Sequence, residues 1–137
     1  MSDHVILGLE VARNAAAKMR PGGTLLLMGG TGGRRVSREL GIASAATAAL
    51  PLFVAALALE LAPGRVNLIA AGFVDTPCRH RTSPARDSRP GARSCKRPCR
   101  SARVGPADVA ALAVHIMTNT ALTGGTYDID GGQQFVT

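Results

Sequence analysis

Four residues in one short stretch have the chemistry of a metal site: Cys78, His80, Cys95 and Cys99. Thiolates and imidazole are donors that zinc takes readily, but Cys-x-His and Cys-x₃-Cys are not standard zinc spacings. The same stretch reads CRHRTSPARDSRPGARSCKRPCRSAR, and between 79 and 103 it holds nine Arg and Lys against one acid, Asp87. The whole chain carries +7, so its positive charge belongs to this segment and not to the rest. A basic run of this kind can serve as a nucleic-acid arm through phosphate contacts, although it has no aromatic on which a base would stack. It also has no Leu, Ile, Val, Met, Phe or Tyr, so it has no core face to bury and is expected to be disordered. A third reading is translation out of frame between two compensating shifts in a GC-rich gene. That reading accounts for the abrupt change of composition at both ends and for the clustering of all three cysteines, and the composition favours it.

Other candidate groups are sparse. GGTGGRR, 29–35, has glycines suited to a phosphate loop, but after Gly30 and Gly32 the third glycine of a G-x-G-x-x-G pattern falls on Arg35. A flexible hinge is the plainer expectation. The one tyrosine is Tyr127, the two lysines are Lys18 and Lys96, and no ionisable side chain stands between Glu39 and Glu60.

These groups need elements to position them. The chain has 137 residues, enough for one domain with a core, but aromatics make up only 3%, so close backbone packing has to replace large side chains. Val5, Leu9, Ala12, Ala16 and Met19 form a helical stripe over 4–20, which Pro21-Gly22-Gly23 ends. TLLLMG, 24–29, reads as a buried strand. A helix is expected over 43–61, then a strand and turn over 65–72. Pro106 and Asp108 suit the first turn of a helix over 106–118, whose Val109, Leu112, Ala113 and Ile116 face the core. TYDIDGG, 126–132, is a last strand and turn. Alternating helices and short apolar strands predict an α/β fold with a parallel sheet of three strands and three helices. Residues 1–77 and 104–137 then form one domain, interrupted by the basic segment 78–103.

The N-terminus lacks the basic start and unbroken apolar run of a signal peptide, and an odd cysteine count argues against a disulfide framework. Residues 41–59 are uncharged and about long enough to span a bilayer, but Ala, Ser, Thr and Pro51 suit a buried helix of a soluble protein better. A cytoplasmic protein without membrane contact is expected.

LALELAPGRVNLIAAGFVDTP (57–77) resembles the short-chain dehydrogenase/reductase family, in which a helix carrying Tyr-x-x-x-Lys runs into such an end, a strand and a turn. GGTLLLMGG (22–30) resembles the family's fifth strand, and DVAALAVHIMTNTALTGGTYDIDGGQQ (108–134) its last helix and seventh strand. The resemblance covers most of the chain outside 78–103. It implies a Rossmann-like fold, oxidoreductase chemistry and NAD or NADP as cofactor, with Gly72, Val74 and Thr76 on the segment that contacts the nicotinamide carboxamide. Ala71 stands where proline is usual. Asn67 and Asp75 also match, with hydrogen-bonding of a turn as an equal alternative.

The departures are large. The chain resembles the family from its fourth helix onward, so the strand and glycine turn that hold the cofactor pyrophosphate are expected to be missing. The family's Tyr falls at Ala43 and its Lys at Thr47; its Ser falls near Gly30, with Thr31 the nearest hydroxyl; its Asn falls near Asp3 or His4, since Asn14 is too far along. The catalytic set is therefore expected to be absent and the isolated chain inactive. Activity with a complementing chain, and a nucleic-acid-associated fragment, are the alternatives. Self-association, as a homo-oligomer or an aggregate, is expected from the uncharged edge TLLLMG and from helices 4–20 and 43–61, which resemble those of the family's subunit interface.

Overall fold

The computed structural model describes residues 2–34, 41–76 and 104–135. Helix α1 (Ser2–Ala16) leads into strand β1 (Thr24–Gly30) and a 3₁₀ turn (Thr31–Arg34). Helix α2 (Gly41–Glu60), strand β2 (Arg65–Ala71), helix α3 (Pro106–Thr118) and strand β3 (Thr126–Ile129) follow, closed by a second 3₁₀ turn (Gln133–Phe135). Among the described residues the strands form one parallel sheet in the order β1-β2-β3. This is the expected α/β, Rossmann-like arrangement of three strands and three helices. The basic segment 78–103, with Cys78, His80, Cys95 and Cys99, lies outside the described residues, as does Arg35.

The alternation of side chains along β2 sorts the core into two faces. Val66 and Leu68 point to α2 and join Ala12, Leu50, Val54 and Leu57 in the main apolar cluster. Arg65, Asn67 and Ile69 point the other way, toward α3, whose Ile116 is fully buried. Residues Arg65 to Ala70 are all buried, which explains why this strand reads as an apolar run with only Arg65 and Asn67 polar. Leu25 and Leu27 are in register with Val66 and Leu68 and pack on the α2 face. Gly29 is in register with Ala70, and a Cβ there would lie 2.8 Å from a Leu50 methyl, so glycine is what lets α2 seat on the sheet.

Three expectations are corrected. The inward face of α1 is Val5, Gly8, Ala12 and Ala15, continued beyond the helix by the half-buried Met19, whereas Leu9 and Ala16 are exposed. The reason is close approach: a Cβ at Gly8 would stand 3.1 Å from the Phe53 ring, so the smallest side chains turn inward. α1 also stops at Ala16, where the chain tightens: the Lys18 amide reaches the Ala15 carbonyl, three residues back, at 2.8 Å. The glycine-rich stretch after β1 is not a free hinge over its described part. Thr31–Arg34 form a 3₁₀ turn packed on α2, and a Cβ at Gly33 would fall 2.6 Å from the Ala48 nitrogen.

Helix α3 begins as the sequence suggests, with Pro106 in its first turn. The Asp108 carboxylate accepts the Gly105 amide at 2.7 Å, which adds a hydrogen bond to its favourable place near the positive end of the helix. Helix α2 is the one described helix long and apolar enough to cross a membrane. Here it lies on the sheet with one side buried, and its other side presents Ile42, Leu52 and Leu59, each more than two-thirds exposed.

Candidate functional site

In parallel α/β sheets, ligands sit beyond the carboxyl ends of the strands. At that end, Gly72, Val74 and Thr76 lie on the extended segment that leaves β2. The Gly72 amide donates to the Ile129 carbonyl at 3.0 Å, continuing the β2–β3 ladder by one bond. The Phe73 amide donates to Gln133 Oε1 at 2.8 Å, and Gln133 Nε2 donates back to the Phe73 carbonyl at 3.3 Å. Gln133 is itself held by the turn after β3. The buried Asp130 carboxylate accepts the amides of Gly132 (2.8 Å) and Gln134 (3.1 Å). Gly131 and Gly132 both have positive φ, 61° and 77°, which explains the DGG sequence. Val74 and Thr76 are half-buried, and the Asp75 amide donates to the Val104 carbonyl at 2.9 Å.

The turns after β2 and β3 are thus stapled to each other, and Gly72 is the point of contact. A Cβ on Gly72 would lie 2.5 Å from Asp130 Cβ and 2.8 Å from Gln133 Oε1. Gly72→Ala is expected to destabilise the fold by about 1–3 kcal/mol, the usual range for overpacking. Urea unfolding checks this through a lower midpoint at unchanged slope.

The start of α2 holds Ala43 and Thr47, the positions that the resemblance sets against the family's tyrosine and lysine. Ala43 is exposed and offers only a methyl group. Thr47 is half-buried, and its hydroxyl lies 3.0 Å from the Ala43 carbonyl and 3.1 Å from the Ser44 carbonyl, so its proton goes back into its own helix. The turn after β1 packs on the same residue: a Cβ at Gly30 would meet Thr47 Cγ2 at 3.7 Å, and one at Gly32 would meet Thr47 Oγ1 at 3.5 Å. Tyr127 is elsewhere. It is in register with Ile69 on the α3 face, with its ring over Gly125. The side chains of Asp3 and His4 fall outside the described residues.

Two polar clusters escape a reading of local patterns. Arg65, the first residue of β2, is buried and reaches the carboxyl end of α3. Its Nη1 is within 3.1, 2.9 and 3.2 Å of the carbonyls of Ile116, Asn119 and Leu122, and its Nη2 donates to Met117 at 2.8 Å. Asn67, fully buried, continues the clamp by donating to the Leu122 carbonyl (2.9 Å) and accepting the Gly125 amide (3.1 Å). Of the two roles open to Asn67, the structure shows the hydrogen-bonding of a turn. The second cluster joins Arg34 to Asp128, at 2.7 Å, across the end of β2, with Gln134 Nε2 on the other carboxylate oxygen at 3.3 Å. Arg34 and Asp128 are 94 positions apart in sequence, so no local spacing links them.

The described residues fit a dinucleotide only in part. Segment 72–76 is fixed at the carboxyl end of the sheet. A pyrophosphate needs an open set of amides at a strand–helix turn. The glycine turn after β1 does not supply one, because its backbone is packed against Thr47 and Ala48.

Comparisons with known proteins agree with this geometry. Residues 8–134 match the model of a family described as enoyl-(acyl carrier protein) reductase. No curated protein matches the chain. Among solved structures, a small-chain dehydrogenase in complex with NADPH is 25% identical, with a TM-score of 0.74 over 93% of this chain and 58% of that one. BdcA in complex with NADPH is 26% identical, with a TM-score of 0.67 over 88% and 49% of the two chains. The 3-hydroxyacyl-CoA dehydrogenase type-2 of Mycobacterium avium is 26% identical, with a TM-score of 0.68 over 94% and 51%. The chain spans about half the length of these structures. With a family match over almost its whole length and the same α/β frame, the chain belongs to the short-chain dehydrogenase/reductase family.

Proposed function

We propose that this chain carries the cofactor-facing segment of an NAD(P)-dependent oxidoreductase but does not turn over substrate by itself. The observation that carries this reading is the start of α2. Ala43 has no proton to give, and the Thr47 hydroxyl is bound to its own helix, so the helix that would hold a tyrosine–lysine couple holds neither member. Gly72, Val74 and Thr76 remain as the segment for the nicotinamide end. Relatives solved with NADPH support NAD or NADP as the ligand to test. Without a pyrophosphate cradle, binding by the chain alone is expected to be weak. Titration with NADPH followed by nucleotide fluorescence checks this: no saturation is expected at micromolar concentration, and a micromolar Kd would contradict the reading.

A second reading is favoured by the sheet edge. β1 is paired only with β2 among the described residues, and Met28 on its α3 face is 53% exposed. A chain supplying further strands at that edge would complete the sheet and restore a nucleotide site. Adding a polypeptide that holds the first strands of a family member should then produce saturable NADPH binding, and no such binding would sink this alternative.

The same edge, and the exposed stripe of α2, support self-association. Sedimentation at micromolar concentration is expected to show species larger than a monomer. Leu26→Lys weakens association if the β1 edge mediates it, and Ala56→Lys does so if α2 mediates it. A compact monomer in the unaltered chain would contradict both.

A further inference from the structure

A recess lies between α2 and the sheet, on the side of β2 away from α3. Its floor is Leu68 and Ala70, its wall is Thr47, Ala48 and Pro51, and its rim carries Arg34. We propose that this recess binds a small monocarboxylate of about four to six heavy atoms, with the alkyl part inside and the carboxylate on Arg34. The site is distinct from segment 72–76, and the inference does not depend on how that segment meets a nucleotide.

Size sets the first limit. The volume is ≈110 Å³, somewhat below the roughly 150 Å³ apolar cavity that takes the six carbons of benzene. Lining sets the second. Leu68 and Ala70 are buried, Ala48 and Pro51 are apolar, and the Thr47 hydroxyl is already bound to Ala43 and Ser44. Apart from the backbone of Gly30 and Gly33 at one end, these walls are apolar, so the interior suits an alkyl chain. Charge sets the third. Among the described residues Arg34 is the only ionisable one on the lining, and there it is held by one bond, from Nη2 to Asp128 Oδ1 at 2.7 Å. A guanidinium has five N–H donors in a planar fork, so a second edge remains for another carboxylate. The side chain of Arg34 is 39% exposed, which leaves that edge reachable from solvent. A phosphate would need several converging donors, and among the described residues the rim has one cation. A longer acyl chain would exceed the volume.

The test is a titration of the full chain with sodium butyrate, read by backbone amide shifts, with butanol as the neutral control. Saturable shifts confined to Gly30, Gly33, Arg34 and Ala70 are expected, with butanol binding at least about tenfold more weakly, the loss expected for removing a charge-assisted hydrogen bond. Arg34→Gln, a change at a solvent-reachable side chain, is expected to weaken butyrate to the level of butanol. Ala70→Leu, which fills the recess, is expected to abolish binding while the remaining amide pattern stays dispersed. Absence of saturable shifts, equal binding of butyrate and butanol, or unchanged binding by the Arg34→Gln chain would each overturn the proposal. Because Arg34→Gln does not alter the core, the result stands even if Ala70→Leu fails to fold.

Discussion

Replacing Arg65 by Met is expected to unfold the chain or leave it barely folded, with a loss of about 3–5 kcal/mol. The argument starts from the end of α3. The last carbonyls of a helix have no partner within it. Here Ile116, Met117, Asn119 and Leu122 turn four carbonyls toward one guanidinium, and the cation lies at the negative end of the helix dipole. Met fills a similar volume but donates nothing. The four carbonyls, that of Ile116 buried and the others part-buried, then have fewer partners, and each unmade hydrogen bond to a charged group costs about 1.5–3 kcal/mol, less when several are lost together. Domains are stable by only about 5–15 kcal/mol, so one such loss removes most of the margin. Arg65→Lys keeps the charge but not the planar fork, so a smaller loss is expected. Urea unfolding followed by circular dichroism checks both, and a change below about 1 kcal/mol for Arg65→Met would refute the clamp.

The same residue shows what was legible in the sequence. The segment RVN at 65–67 was recognisable as part of a family pattern, and the burial of Val66 followed from its apolar neighbours. The roles of Arg65 and Asn67 did not follow, because their partners at the end of α3 and in the turn after it lie more than fifty positions away. Period and turn residues gave α3 its limits of Pro106 and Thr118, since proline, an acidic first turn and a four-residue apolar spacing all agree there. In α1 the same period pointed to Leu9 and Ala16 as core residues and was off by about one position. Hydrophobicity alone does not register that a glycine at position 8 lets the Phe53 ring approach. The glycines of 29–33 read as freedom of the backbone, whereas in the folded chain they are points of close contact with Leu50, Thr47 and Ala48. For the site, the missing tyrosine and lysine were visible from composition. The stapling of Gly72 to Asp130 and Gln133 was not, because it depends on β2 and β3 being neighbours in the sheet.

The central claim concerns catalysis, and its expected result is an absence of turnover. Reduction of a carbonyl by NADPH moves a hydride and also requires a proton for the developing alkoxide. A tyrosine made acidic by a lysine one helical turn away can give that proton at neutral pH. In the register that the family resemblance implies, those two places are Ala43 and Thr47, and the single tyrosine lies on the other face of the sheet. Losing general acid–base catalysis alone costs about 10²- to 10⁴-fold in rate, and weak nucleotide binding lowers kcat/KM further. The direct measurement is NADPH oxidation by the purified chain alone against a panel of ketone and 3-oxoacyl substrates, with Thr31→Ala as the control for the nearest hydroxyl of the turn after β1. The account predicts rates no higher than buffer for both proteins. NADPH turnover by the unaltered chain that disappears in the Thr31→Ala chain would contradict it.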